Sequence, residues 1–258
     1  MRRRAAALGS VLLLVAAVAC ASGEGGDREP SGATTLTVYA AASLTETFTE
    51  LGGLFEADHE GVEVTFAFGG SSDLVAQLQQ GAPGDVLATA DAASMRQAVG
   101  DDLLGGDPVD FASNTLQIAV PPDNPAGVAS LQDLAAPRVQ VVVCAPQVPC
   151  GSATGKVEDA AGVDIDPVSE EQSVTDVLDK VRTGEADAGL VYVTDVRAAG
   201  DRVRGVRFSE SSVGVNTYPI GFLEGGKHQD LAREFIELVT GDVGRRILAD
   251  AGFAGPQP

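Results

Sequence analysis

For most of its length the chain alternates short runs of period-two hydrophobicity with longer runs at helical spacing. Leu36, Val38 and Ala40 occupy every second position and predict a strand. Immediately behind them Leu44, Phe48, Leu51, Leu54 and Phe55 recur as they would on one face of a helix. Three alanines and Ser43 separate the two, so the strand must turn tightly into a helix that starts at a hydroxyl residue. The pattern repeats. VEVTFAF at 62–68 predicts a second strand, Gly69-Gly70-Ser71-Ser72 follows, and LVAQLQQ reads as a helix stopped by Gly81. A third strand is expected at 85–89 and a third helix at 91–99. TLQIAV at 115–120 opens a second set, with a short helix in SLQDL, a strand at 139–143, helices at 152–161 and 173–182, and a strand at 188–193 carrying Tyr192. Short strands are expected at 203–208 and 213–215, NTYPIGFL at 216–223 reads as a return crossing, and helices at 228–239 and 242–251 close the chain. Strands alternating with helices predict an α/β fold on mainly parallel sheets.

The turns carry the candidate chemistry. Hydroxyls or bare N–H groups recur where a strand gives way to a helix: Ser43, Ser71, the Pro149-Cys150 end of a cysteine loop, and Ser173-Val174. The first N–H groups of a helix lack intrahelical partners and sit at the positive end of its dipole. Such an end holds an anion without lysine or arginine. Each serine has a second reading as a plain helix cap; Ser43 with Glu46 would make a capping box, and Ser173 is placed to cap its helix. In an open α/β sheet, ligands lie outside the carboxyl ends of the strands, where these turns are.

Charge and composition narrow the partners. Thirty-seven acidic against 17 basic residues, a formal net charge of −20, disfavour nucleic acid. There is no Trp and aromatics are 5%, too few for a platform that stacks sugars or bases. An anionic ligand would have to be held by local dipoles, since the overall field, screened over about 8 Å at physiological salt, opposes it. Enzyme signatures are scarce. His59 and His228 are the only histidines, no phosphate-binding loop of the Gly-Lys-Ser/Thr type is present, and GSATGK at 151–156 has the wrong spacing for one. Nothing in the sequence makes Asp85, Asp91 and Asp187 converge. The chain is expected not to be an enzyme and to need no cofactor.

The N-terminus reads as an address. Three arginines precede an apolar run over 5–19 that is short for a bilayer span and ends in Ala17-Val18-Ala19-Cys20. This resembles a bacterial lipobox and implies a signal peptide over 1–19, lipid on Cys20, and a flexible tether over 20–33 rich in Gly, Ser and charge. Plain secretion with a chance cysteine is the alternative. The remaining Cys144 and Cys150 are an even pair outside the cytoplasm. They are either bridged across CAPQVPC or two free thiols.

Taken in order, YAAASLTETF (39–48), FAFGGSSDLVAQLQQGAPGDVLATAD (66–91), VPCG (148–151), SVTDVLDKVRTGEADAGLVYVTD (173–195) and NTYPIGFL (216–223) resemble the molybdate-binding proteins of bacterial ABC importers. The resemblance runs from Leu36 nearly to the end. It implies a type II periplasmic binding protein fold, two α/β lobes joined by two crossover segments, with lobe one at 34–114 and 218–258 and lobe two at 115–217. It further implies a molybdate or tungstate ligand bound by neutral donors. Carried over, Ser43 and Ser71 give hydroxyl and backbone N–H from lobe one; the N–H of Cys150, the N–H of Val174 and the phenol of Tyr192 come from lobe two. The implied partners are an ABC permease and, through Cys20, the outer face of the cell membrane; the protein is expected to be a monomer. A departure is Cys150, where the family pattern has a small alanine. A sulfate or other small oxyanion binder, and an oxyanion-sensing lipoprotein, are the alternatives.

Overall fold

A computed structural model describes residues 33–256. The expected signal peptide, Cys20 and nearly all of the tether lie outside the described residues. Two five-stranded sheets, each flanked by helices, form two lobes. The first is ordered β2-β1-β3-β10-β4, from β1 (Thr34–Ala41), β2 (Val62–Gly69), β3 (Val86–Ala88), β4 (Val109–Asn114) and β10 (Asn216–Phe222). The second is ordered β7-β6-β8-β5-β9, from β5 (Leu116–Val120), β6 (Val141–Cys144), β7 (Ser169–Glu171), β8 (Ala188–Tyr192) and β9 (Arg204–Val206). Helices α1 (Thr45–Asp58), α2 (Ser71–Gln79), α3 (Ala92–Gly100), α7 (Gln229–Thr240) and α8 (Asp242–Ala251) accompany the first sheet; α4 (Pro149–Ala161), α5 (Val174–Arg182) and α6 (Val193–Ala199) accompany the second.

The sheets are mixed, not mainly parallel as the alternation predicted. β1 pairs in parallel with β2 and β3, and β6 with β7 and β8, but β10 runs antiparallel to β3 and β4, and β5 antiparallel to β8 and β9. The exceptions have one cause. β5 and β10 are the strands that follow a crossing between lobes, so each enters its sheet from the end opposite to the βα units. The core follows the same division. Phe48, Phe55 and Phe235 interlock edge-to-face in the first lobe, with centroids 5.9 Å and 5.5 Å apart. Val141, Val142, Val177, Leu190 and Ile118 fill the second. Aliphatic strands buried on both faces read as unbroken apolar runs, which is what VVV at 141–143 is.

Boundaries moved where local chemistry outvoted periodicity. The first helix starts at Thr45, because 42–44 form a 3-10 turn. The helix expected from Ser152 starts at Pro149, whose fixed φ and missing N–H suit the first helical position. SLQDL yields only a 3-10 turn, Gln132–Ala135; the strand expected at 213–215 is replaced by a 3-10 turn, Ser209–Val213, running up to β10.

Candidate functional site

The carboxyl ends of β1, β2, β6 and β8 point at one place between the lobes. There a cavity of about 20 Å³ is lined by fourteen residues, none of them charged. Ser43, Ser71, Cys150, Val174 and Tyr192 all line it. A volume of that size accommodates roughly one water-sized sphere or a little more; it fits a small ion and excludes sugars, peptides and cofactors.

Ser43 is not a helix cap. It sits in the 3-10 turn after β1, its side chain makes no capping bond, and its Oγ lies 3.0 Å from the hydroxyl of Tyr218. Ser71 is the first residue of α2, which has Gly70 as its uncapped start; Ser71 Oγ accepts from the N–H of Ala90 at 3.0 Å, leaving its own proton to donate. In α4, Cys150 follows the N-terminal proline, so its N–H is among the first-turn donors that no helical carbonyl can reach. Ser173 does cap α5, accepting from the N–H of Asp176 at 3.3 Å, and Val174 opens the helix beside the cavity. Three helix starts and one tight turn thus bring positive dipole ends and hydroxyls to one point. Tyr192, at the end of β8, is 1% exposed, and burial, then the neighbouring Tyr218, hold its phenol well above the usual range. It is a neutral donor at any physiological pH.

Cys144 and Cys150 are bridged, with Cα atoms 5.6 Å apart. The bridge closes the loop that delivers the Cys150 N–H. Gly151 fits because the loop folds back on it: a Cβ there would lie 1.9 Å from the carbonyl oxygen of Ala145. Asn114, Asn216 and Tyr218 complete the surroundings and were not expected from the sequence. They reach the cavity only through other residues, so no local motif marks them.

The carboxylates considered for acid–base work do not converge. Asp85 accepts from the N–H groups of Thr37 and His228, Asp91 caps α3, and Asp187 accepts from the N–H of Gln140. His59 stacks on Phe55 and meets Glu234 at 2.7 Å, away from the cavity. A larger cavity of about 380 Å³ lies alongside, with Arg182, Arg197 and Arg202 facing Glu46, Asp179 and Asp250. Asp179 holds Arg182 at 2.8 Å, and Arg202 donates to the carbonyls of Ala198 and Ala199. Its charges are of both signs and three of them are committed, so the small uncharged cavity is the better site for an anion.

Asp195 is the one buried acid nearby. Burial raises its pKa from 3.8 to about 7, opposed by the Tyr192 N–H that its Oδ2 accepts at 2.8 Å and assisted by Glu46. The folded state therefore holds a proton that the unfolded state has released between about pH 4 and about pH 7, so this group's stabilising contribution is complete below pH 4 and lost as pH rises through about 7. Thermal melts from pH 4 to 8 should show that decline in the unaltered protein. In Asp195→Asn, which keeps an acceptor for Tyr192, the decline should be smaller; equal slopes would contradict the assignment.

The sequence model of the family described as "Bacterial extracellular solute-binding protein" matches residues 36–254. The molybdate-binding protein ModA of Mycobacterium tuberculosis (strain ATCC 25618 / H37Rv) is 48% identical over 250 residues, 96% of each chain. Among solved structures, the substrate-binding domain of a putative molybdenum ABC transporter from Clostridium difficile is similar at 26% identity and a TM-score of 0.63, over 87% of this chain and 100% of that one. The periplasmic molybdate-binding protein of Azotobacter vinelandii shares the fold at 22% identity and a TM-score of 0.75, over 86% of this chain and 100% of its own.

Proposed function

Because the chain belongs to the bacterial extracellular solute-binding proteins, we propose that it captures molybdate between its lobes and delivers it to the permease of an ABC importer. The relatives are solute-binding proteins of transporters, not enzymes. The observation that carries the reading is the small interlobe cavity whose walls offer hydroxyls and helix-start N–H groups and no charged side chain. A dianion leaving water there exchanges its hydration for charge-assisted hydrogen bonds from fixed donors. Each donor left unpaired in a closed cleft costs about 1–3 kcal/mol. Sulfate has the right charge but is smaller, and reaches fewer donors at once. Tungstate has nearly the size of molybdate and binds the same way.

In this reading lobe one comprises 34–114 and 218–258, lobe two comprises 115–217, and closure turns about the two crossings. Ser43, Ser71, Cys150, Val174 and Tyr192 are the ligand donors. The protein works as a monomer held outside the cell membrane by lipid on Cys20. Among the described residues no helix is long and apolar enough to cross a membrane.

Calorimetric titration with molybdate tests the site. Ser43→Ala and Tyr192→Phe should each weaken binding about 5- to 150-fold, the loss of one donor to a buried charge. Unchanged affinity in both rules the site out. Competition by sulfate at equal strength would replace molybdate with sulfate as the cargo.

A further inference from the structure

We infer that Asn216, at the return crossing, is the positioning residue that commits the Tyr192 hydroxyl to donate, and thereby closes the site to oxyanions that carry their own proton. The inference rests on the anion-binding reading above. Asn216 is 3% exposed and opens β10 on the first sheet, yet its side-chain nitrogen bonds to two groups of the second lobe. It lies 3.0 Å from the carbonyl oxygen of Pro149 and 2.8 Å from the hydroxyl oxygen of Tyr192. A carbonyl can only accept, so Pro149 fixes which way the amide faces: nitrogen, not oxygen, points into the second lobe. The second N–H then falls to Tyr192, whose oxygen must accept it. A phenol has one proton. With its oxygen engaged by Asn216, that proton has two places to go, the cavity that Tyr192 lines and the neighbouring hydroxyl of Tyr218, and an anion in the cavity is the stronger acceptor.

The same amide serves a second donor. Pro149 is the first residue of α4, and the next residue along the chain, Cys150, lines the cavity. One side chain at the start of the hinge strand thus registers two donors of the second lobe. Asn114, paired in register with Asn216 on the outgoing strand, ties the hinge to the second lobe separately, donating to Thr194 at 2.8 Å.

The chemical consequence concerns hydrogen phosphate. Its P–OH needs an acceptor inside the closed site. The oxygen of Tyr192 is an acceptor already in use. Without Asn216 the phenol can turn so that its oxygen accepts a hydrogen bond from the phosphate's P–OH.

The experiment is titration calorimetry of the unaltered protein, Asn216→Ala, Asn216→Asp, Tyr192→Phe and Asn216→Ala/Tyr192→Phe, with sodium molybdate and with inorganic phosphate near neutral pH. Asn216→Ala should weaken molybdate about 5- to 150-fold and narrow the molybdate-to-phosphate ratio. Asn216→Asp should lose more, since its carboxylate takes the Tyr192 proton for itself. In the Tyr192→Phe background the Asn216→Ala step should cost much less, because the phenol it orients is gone. An equal cost in both backgrounds with an unchanged ratio would make Asn216 a packing residue only and overturn the inference. If Asn216→Asp does not fold, Asn216→Ser carries the same comparison. Failure of the unaltered protein to bind molybdate overturns the function and this inference together; intact binding with indifferent Asn216 variants overturns the inference alone.

Discussion

Gly70→Ala is expected to lose most of the affinity while leaving the ligand-free fold nearly as stable. Gly70 has φ −63° and ψ 134°, a conformation open to any residue, so backbone strain is not the reason. The reason is space across the cleft. A Cβ at this position would lie 2.1 Å from the carbonyl oxygen of Gln172, in the other lobe. Neither atom belongs to a flexible side chain, so the overlap can be relieved only by holding the lobes apart. The methyl is harmless when the lobes are open, and the penalty therefore falls on closure. Overpacking of this kind costs about 1–3 kcal/mol, or about 5- to 150-fold in affinity. Holding the lobes apart would also lose the contact next door, where Ser72 Oγ donates to the carbonyl of Gln147 at 2.7 Å. Exchanging a glycine N-cap for alanine costs about 1 kcal/mol of helix stability, which sets the scale for any drop in the ligand-free melting temperature. Calorimetry and melting together decide: unchanged affinity with a large loss of stability would mean that Gly70 serves the fold and not the closure.

Removing the Cys144–Cys150 bridge should act mainly in the other direction, on stability. The bridged residues are six apart, and closing so short a loop stabilises by about 2 kcal/mol. For a chain of this size that is a fall in melting temperature of about 4–8 °C. Cys144→Ser/Cys150→Ser and chemical reduction of the unaltered protein should melt alike. Affinity should fall less, because other contacts still hold the loop: Ala145 donates to the carbonyl of Glu171 at 2.8 Å and Val148 to that of Ala145 at 3.1 Å. Scanning calorimetry with and without reductant measures the first effect. A melting temperature indifferent to both treatments would show that the bridge contributes nothing to stability.

Four of the proposed donors, Ser43, Ser71, Cys150 and Val174, are legible in the sequence because each sits where a strand gives way to a helix, whereas Tyr192 enters only through the resemblance to the molybdate-binding proteins. Ser71 and Val174 are read directly from such changes. Ser43 was ambiguous, since a serine three residues before Glu46 has the form of a capping box; the competing partner, Tyr218, is 175 residues away and leaves no local trace. α6 escaped because VYVTDV is rich in β-branched residues and continues the look of β8. β4 escaped because VDFASN mixes exposed and buried positions without strict alternation. The antiparallel entries of β5 and β10 are set by the crossings, which periodicity within a segment does not encode. Asn216 lay in a stretch already singled out as a crossing, but its role exists only through Pro149 and Tyr192, brought to it by the fold.

The position of β10 also dictates an order of assembly. β5 through β9 arise from one unbroken stretch, so the second lobe has all its strands as soon as residue 206 is available. The first sheet does not: β10 lies between β3 and β4, and begins only at Asn216. Until that strand arrives, β3 and β4 each lack a neighbour. Such distant pairing is intrinsically slow, because the intervening chain must be gathered in before any contact rewards it. The half of the molecule translated first is therefore the half completed last.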